Sequence, residues 1–177
     1  ANRAGELLGG RKGAYDKVHP NDHVNMAQST NDVIPTAGKL TVLDLLEPLL
    51  RELAALAEAM GEKARQFDHI LKMGRTQLED AVPMRLGQSF QAYRSVICRD
   101  IRRLEGVRQD MYTVNLGGTA IGTAINVDPG YLANIVPNLA RLTGRPLVQA
   151  QDLFDATEHL DGFVAASAAV KTCAVDL

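Results

Sequence analysis

Three polar clusters in this sequence have residue types and spacings that could do chemistry. The first, Gln28-Ser29-Thr30-Asn31-Asp32, stands just ahead of a long helical pattern. Ser, Thr, Asn and Asp are the preferred residues at a helix N-cap, so the plainest reading is capping. A helix N-terminus also presents unpaired N–H groups and the positive end of the helix dipole. Two hydroxyls and an amide added there suit a carboxylate. The second cluster, Gly74-Arg75-Thr76-Gln77-Leu78-Glu79-Asp80, precedes Pro83 and a second long helical pattern, and repeats the arrangement. Two such clusters could converge on one dianionic ligand. Arg75 serves either as a carboxylate clamp or as half of a buried structural ion pair. The third cluster, Leu116 to Thr123, is glycine-rich. It follows a helix and lacks the spacing of a phosphate-cradling loop, so it reads as a place of close backbone packing.

Other chemistries find less support. His19 and His23 flank Pro20-Asn21-Asp22, while His69 and His159 stand alone. No pair has a zinc-like spacing with a third ligand, and no cofactor is expected. No serine sits in a nucleophile elbow. Cys98 and Cys173 read as free thiols in a reducing, cytoplasmic setting. Nineteen Lys and Arg against twenty-one Asp and Glu give a net charge of −2. That balance argues against nucleic-acid binding, and Arg94, Arg99, Arg102, Arg103 and Arg108 read as a solvated or inter-subunit face. No apolar run approaches the roughly 20 residues of a membrane span.

The elements that must carry these clusters are helices. The 177-residue chain is rich in Ala and Leu, has no Trp and is 5% aromatic, which favours helix-on-helix packing. A helical scrap at Ala1 to Leu8 leads into a loop, Arg11 to Asn31. A long helix begins at Val33 with Pro35 near its first turn. Leu43, Leu46, Leu50, Leu53, Ala57 and Met60 form a heptad-like seam along it. Pro48 predicts a kink, or a helix restarting at Glu47. Residues 67–75 are mixed, with a short extended piece at Ile70 and Leu71, and Gly74 to Val82 reads as loop. Pro83 opens a second long helix with apolar positions from Leu86 and Phe90 to Met111 and Val114. A third helix, Pro129 to Leu142, stops at Gly144; an extended link, Arg145 to Asp152, leads to a last helix still running at Leu177. The missing cap before Ala1 and the unfinished last helix suggest a piece of something longer. Apolar seams this long need partner chains to cover them.

At the clusters the sequence becomes specific. His19-Pro20-Asn21-Asp22-His23-Val24-Asn25, running into Gln28-Ser29-Thr30-Asn31-Asp32, resembles the aspartase/fumarase superfamily. Lys72-Met73-Gly74-Arg75-Thr76-Gln77-Leu78-Glu79-Asp80-Ala81-Val82-Pro83-Met84, then Leu86-Gly87-Gln88, is similar to its second block. Asn115 to Thr123 resembles a third. The resemblance covers nearly the whole chain in the right order. It implies an all-α fold, a long-helix bundle shared in a homotetramer, with residues 1–32 ending the N-terminal domain and 33–177 forming part of the central bundle. It implies a dicarboxylate substrate bound by Ser29, Thr30 and Asn31 and by Thr76 and Gln77. A second, peripheral anion site is implied near His19, Asn21 and Asp22.

The implied reaction is elimination of ammonia from L-aspartate to give fumarate through a doubly negative enediolate. Hydroxyl and amide donors at helix mouths would hold the added charge more strongly as it develops. Class II fumarases usually carry His where this chain has Gln77, which speaks against hydration of fumarate as the alternative. Gln77 cannot be the base, because an amide does not titrate. The family's Gly-Ser-Ser loop, which carries the catalytic base, is absent from these 177 residues. A further alternative is a helical segment that only assembles. This reading expects the isolated segment to release no fumarate from either aspartate or malate; turnover of either by the segment alone contradicts it.

Overall fold

In a computed structural model that describes residues 1–177, the chain is predominantly helical. Its elements are α1 (Asn2–Leu7), a single π-helical turn (Pro20–Val24), α2 (Thr30–Gln66), β1 (Leu71–Thr76), β2 (Glu79–Arg85), α3 (Leu86–Met111), β3 (Thr113–Val114), α4 (Pro129–Thr143), β4 (Val148–Gln149), α5 (Leu153–Glu158) and α6 (Asp161–Asp176). They divide into two compact units, residues 1–39 with 112–160 and residues 40–111 with 161–177. The long-helix, all-α architecture expected from the sequence is present, with two small two-stranded additions.

The second unit is a helical bundle with a hairpin. Leu46, Leu50, Leu53 and Ala57 of α2 meet Ile97, Leu104 and Val107 of α3 and Ala166, Ala169 and Cys173 of α6 in one buried cluster. The seam read from the sequence is therefore the core. Alanine at the α6 positions keeps side chains short where the helices pack. Asp100 lies in α3, 1% exposed, and is paired with Arg103. Burial pushes the Cys173 thiol up, and the nearby Asp100 charge acts in the same direction.

Proline did not stop α2. Its 37 residues run unbroken through Pro48. A mid-helix proline costs about 3 kcal/mol. Burying Leu43, Leu46, Leu50 and Leu53 contributes about 1.5–3 kcal/mol each, so packing wins. The helix also starts at Thr30 rather than Val33, which puts Pro35 beyond the first turn.

The second block is a β-hairpin where a loop was expected, and α3 begins at Leu86 rather than at Pro83. β1 and β2 pair antiparallel, with Met73 opposite Pro83 and Thr76 opposite Glu79. A two-stranded ribbon has only edges, so Pro83 removes no necessary donor. The turn gave no sequence signal because its two residues, Gln77 and Leu78, take left-handed φ of +50° and +66° without glycine or asparagine. The hairpin base is tied down by Leu86 N–H donating to the Ile70 carbonyl at 2.8 Å and Gly87 N–H to the Phe67 carbonyl at 3.1 Å.

In the first unit, β3 and β4 form a short parallel bridge, Thr113 to Val148 and Val114 to Gln149. α4 is capped by Asp128, whose carboxylate accepts from the Gly130 and Tyr131 N–H groups, and ends at Gly144 in a left-handed conformation, as the sequence indicates. The expected last helix is two helices. Asp152 caps α5, His159 turns extended, and Asp161 begins α6.

Two glycines of α3 give opposite expectations. A Cβ at Gly87 would lie 2.4 Å from the Ala64 carbonyl oxygen and 2.8 Å from Asp68 Cα, both backbone atoms that cannot swing aside. Gly87→Ala is expected to destabilise by about 1–3 kcal/mol. A Cβ at Gly106 meets nothing within 4 Å, so Gly106→Ala is expected to stabilise by about 0.5–1 kcal/mol. Thermal melting of the two variants checks both signs.

Candidate functional site

Ser29, Thr30 and Asn31 sit at the mouth of α2, held by a capping box. Asn31 N–H donates to Ser29 Oγ at 3.2 Å, and Ser29 N–H donates to Asp32 Oδ1 at 3.0 Å. This Ser-x-x-Asp reciprocity satisfies N–H groups at and just inside the start of the helix. The capping reading of the first cluster is therefore correct as local structure, and it leaves the block facing outward. Thr30 and Asn31 are exposed, and Ser29 is half-buried.

Asp32 does more than cap. It is fully buried, and its second oxygen accepts from Gly117 N–H at 3.1 Å and Thr119 N–H at 2.9 Å. A buried carboxylate is costly unless its lone pairs are met, and here backbone donors meet both oxygens. The third cluster is thus folded around the first. Gly117 takes φ of +97°, which lets the chain bend so that its N–H and that of Thr119 turn to one oxygen. The expected close packing is found at Gly122, where a Cβ would stand 2.4 Å from Phe154 Cα.

A second link answers a defect in α2. Pro35 has no N–H, so the Asn31 carbonyl loses its intrahelical partner. Asn115 Nδ2 donates to that carbonyl at 3.0 Å and also to Thr157 Oγ1 at 3.1 Å. Asn31 in turn donates its side-chain amide to the Ala120 carbonyl at 2.7 Å. Thr30 and Asn31, with Ile34, Pro35, Ala120, Ile121, Phe154, Thr157, Glu158 and Leu160, line an open groove of about 720 Å³. Ser29 and Thr30 also line a smaller hollow with Asn25 and Gln28. Burial raises the Tyr131 phenol above its ordinary pKa, and the Asp32 charge adds to the rise.

Thr76 and Gln77 belong to the other unit, at the exposed tip of the β1–β2 hairpin. Arg75 is neither buried nor unpartnered: its Nε lies 2.9 Å from Asp80 Oδ1 across the ribbon, with both side chains 64% exposed. The two blocks are each built by their own unit. Asn21 and Asp22 lie on the π-helical turn, and His19 is its N-cap. There His19 Nδ1 accepts from Asp22 N–H at 3.2 Å, and His19 N–H donates to His23 Nδ1 at 2.9 Å. No three His, Cys, Asp or Glu side chains gather as a metal-ligating set.

Sequence reasoning passed over Asp32, Asn115 and Thr119 as individual groups. The Ser-x-x-Asp spacing carried a signal for Asp32. Nothing local marks Asn115, whose partner lies 84 residues away.

A family model described as Lyase matches residues 1–177. The chain is 49% identical to aspartate ammonia-lyase of Bacillus subtilis over 99% of its own length and 37% of that protein. It is 44% identical to class II fumarate hydratase of Neisseria meningitidis, over 100% of its length and 38% of that protein. Among solved structures, the fumarate lyase:delta crystallin from Brucella melitensis bound to cobalt superposes with a TM-score of 0.95 at 43% identity, covering 99% of this chain and 38% of that one. The chain thus spans little more than a third of these relatives.

Removing Asn115 tests the brace. Asn115→Ala leaves the Asn31 carbonyl without its donor in a closely packed place. An expected loss of about 1–3 kcal/mol, read by thermal melting, would support the link; an unchanged melt would show that Asn115 does not carry it.

Proposed function

Because this chain belongs to the lyase family that matches its full length, we propose that the whole protein carrying it is an aspartate ammonia-lyase. The observation that carries this reading is the donor block Ser29-Thr30-Asn31, set at the N-terminus of a 37-residue helix and braced from behind by Asp32 and Asn115. Such donors bind a carboxylate in the ground state. When the proton leaves the carbon beside that carboxylate, the second negative charge of the enediolate develops beside the Ser29 and Thr30 hydroxyls and the remaining amide proton of Asn31, which the fold holds at the helix mouth. Loss of ammonia then gives fumarate.

In this proposal Thr76 and Gln77 bind the substrate from a different copy of the chain, within a homotetramer. Exposed apolar residues on each bundle helix support partners there: Leu45 on α2, Tyr93 on α3, Val164 and Val175 on α6. Residues 1–32 close an N-terminal domain and 33–177 belong to the bundle of the longer enzyme. The resemblance to the superfamily puts the base on a Gly-Ser-Ser loop, a motif these 177 residues do not contain. The turn at His19, Asn21 and Asp22 is the place for a peripheral anion; both ring Nδ1 atoms of His19 and His23 are used within the turn, leaving Nε2 for a ligand. Two free thiols accord with a cytoplasmic location.

Gln77 favours this reading over hydration of fumarate, because an amide can bond the substrate but cannot share a proton with it. The test is direct. Offered aspartate and malate in turn, the whole protein is expected to raise the ultraviolet absorbance of fumarate with aspartate only. Malate turnover without aspartate turnover overturns the assignment. Thr30→Val is expected to lower kcat about 10²–10³-fold with the fold intact, the usual cost of one lost oxyanion donor; unchanged kinetics would remove Thr30 from the site.

A further inference from the structure

We infer that Asp32 is the positioning residue of the substrate-binding block, acting through Thr30 and Asn31 without touching substrate; the inference rests on the ammonia-lyase reading above. The geometry assigns this role to one side chain. Asp32 is 0% exposed, so no ligand in the groove reaches it. One oxygen fixes the Ser29 N–H at 3.0 Å, the residue immediately before Thr30. The other gathers Gly117 and Thr119 N–H groups, which are 85 and 87 residues distant in sequence. That grip places the loop whose Ala120 carbonyl receives the Asn31 amide and whose Asn115 amide holds the Asn31 carbonyl. Thr30 is therefore pinned on both sides through contacts that converge on a single carboxylate.

The arrangement has an electrostatic peculiarity. A negative charge behind an anion site opposes the substrate, so a carboxylate kept there must be worth more as a geometric anchor than it costs in repulsion. Two backbone N–H groups turned to one point normally form a nest for an external anion. Here the protein's own Asp32 fills that nest, and the ligand-facing groups are the side chains on the far side.

This separates positioning from simple electrostatics. Asp32→Asn keeps the volume and removes the charge, but sets an NH₂ group against N–H donors it cannot accept from. If charge alone mattered, the variant would bind dicarboxylates more tightly and turn over as well or better. If Asp32 positions the donors, kcat falls about a hundredfold, as a displacement of about 1 Å does, while KM for aspartate moves less than about threefold. Amide hydrogen exchange gives a readout independent of turnover. Ser29, Gly117 and Thr119 are expected to exchange faster in Asp32→Asn, while α6 is unchanged.

The experiment uses the whole protein, with folding checked by circular dichroism and with Asp32→Glu as the charge-retaining second variant, expected to keep more of kcat than Asp32→Asn. A folded Asp32→Asn protein with kcat within about twofold of the parent overturns the inference. So does failure of both variants to fold, since the carboxylate is then a folding determinant only. An inactive parent overturns the ammonia-lyase reading and this role with it; an active parent with unchanged variants overturns the role alone.

Discussion

A buried carboxylate must be surrounded by donors or it is expelled, and much of the first unit answers that demand for Asp32. The cost of taking a charge out of water is several kcal/mol even after relaxation. The chain offsets it with N–H groups drawn from the start of α2 and from the glycine-rich loop. Those donors exist only if the loop bends at Gly117 and comes close to α2. The loop's left-handed Gly117 and the short parallel bridge that flanks the loop serve the same requirement.

The second unit rests on a different principle. Its helices are held by an apolar seam, and the seam tolerates defects that local rules forbid. Pro48 remains inside α2 because several buried leucines outweigh one lost hydrogen bond. Asp100 remains inside α3 because Arg103 neutralises it. Upon this rigid platform stands a small exposed hairpin with a strained tip. Two neighbouring residues without glycine in left-handed conformations store about 1–3 kcal/mol each, a pattern found where a side chain has to be aimed. Thr76 ends one strand of that hairpin and Gln77 opens its turn.

How much of this was legible depended on range. The seam Leu43 to Ala57 could be read because helical periodicity is a local property of the sequence. The caps at Asp128 and Gly144 obey equally local rules, and Gly144 was read as a stop. The polar cluster Ser29-Thr30-Asn31 was recognisable because its residues are contiguous. The hairpin was not, because its turn lacks the residues that turn chemistry prefers and its strands are mostly exposed on both faces. Asn115 was invisible for a deeper reason: its task is set by Pro35, and only folding brings the two together. Local signals thus located the polar groups at the helix mouth, while the groups that hold them in place emerge from long-range contacts.

In the proposed enzyme Ser29, Thr30 and Asn31 at the mouth of α2 receive a carboxylate while Asp32 stays behind them as an anchor. A crystal structure of the whole protein with an unreactive saturated dicarboxylate would show this placement. A ligand carboxylate is expected within hydrogen-bond distance of the Thr30 hydroxyl, with the Asp32 contacts to Ser29, Gly117 and Thr119 retained. A dicarboxylate bound elsewhere, or one that displaces Asp32 from those three N–H groups, would contradict it.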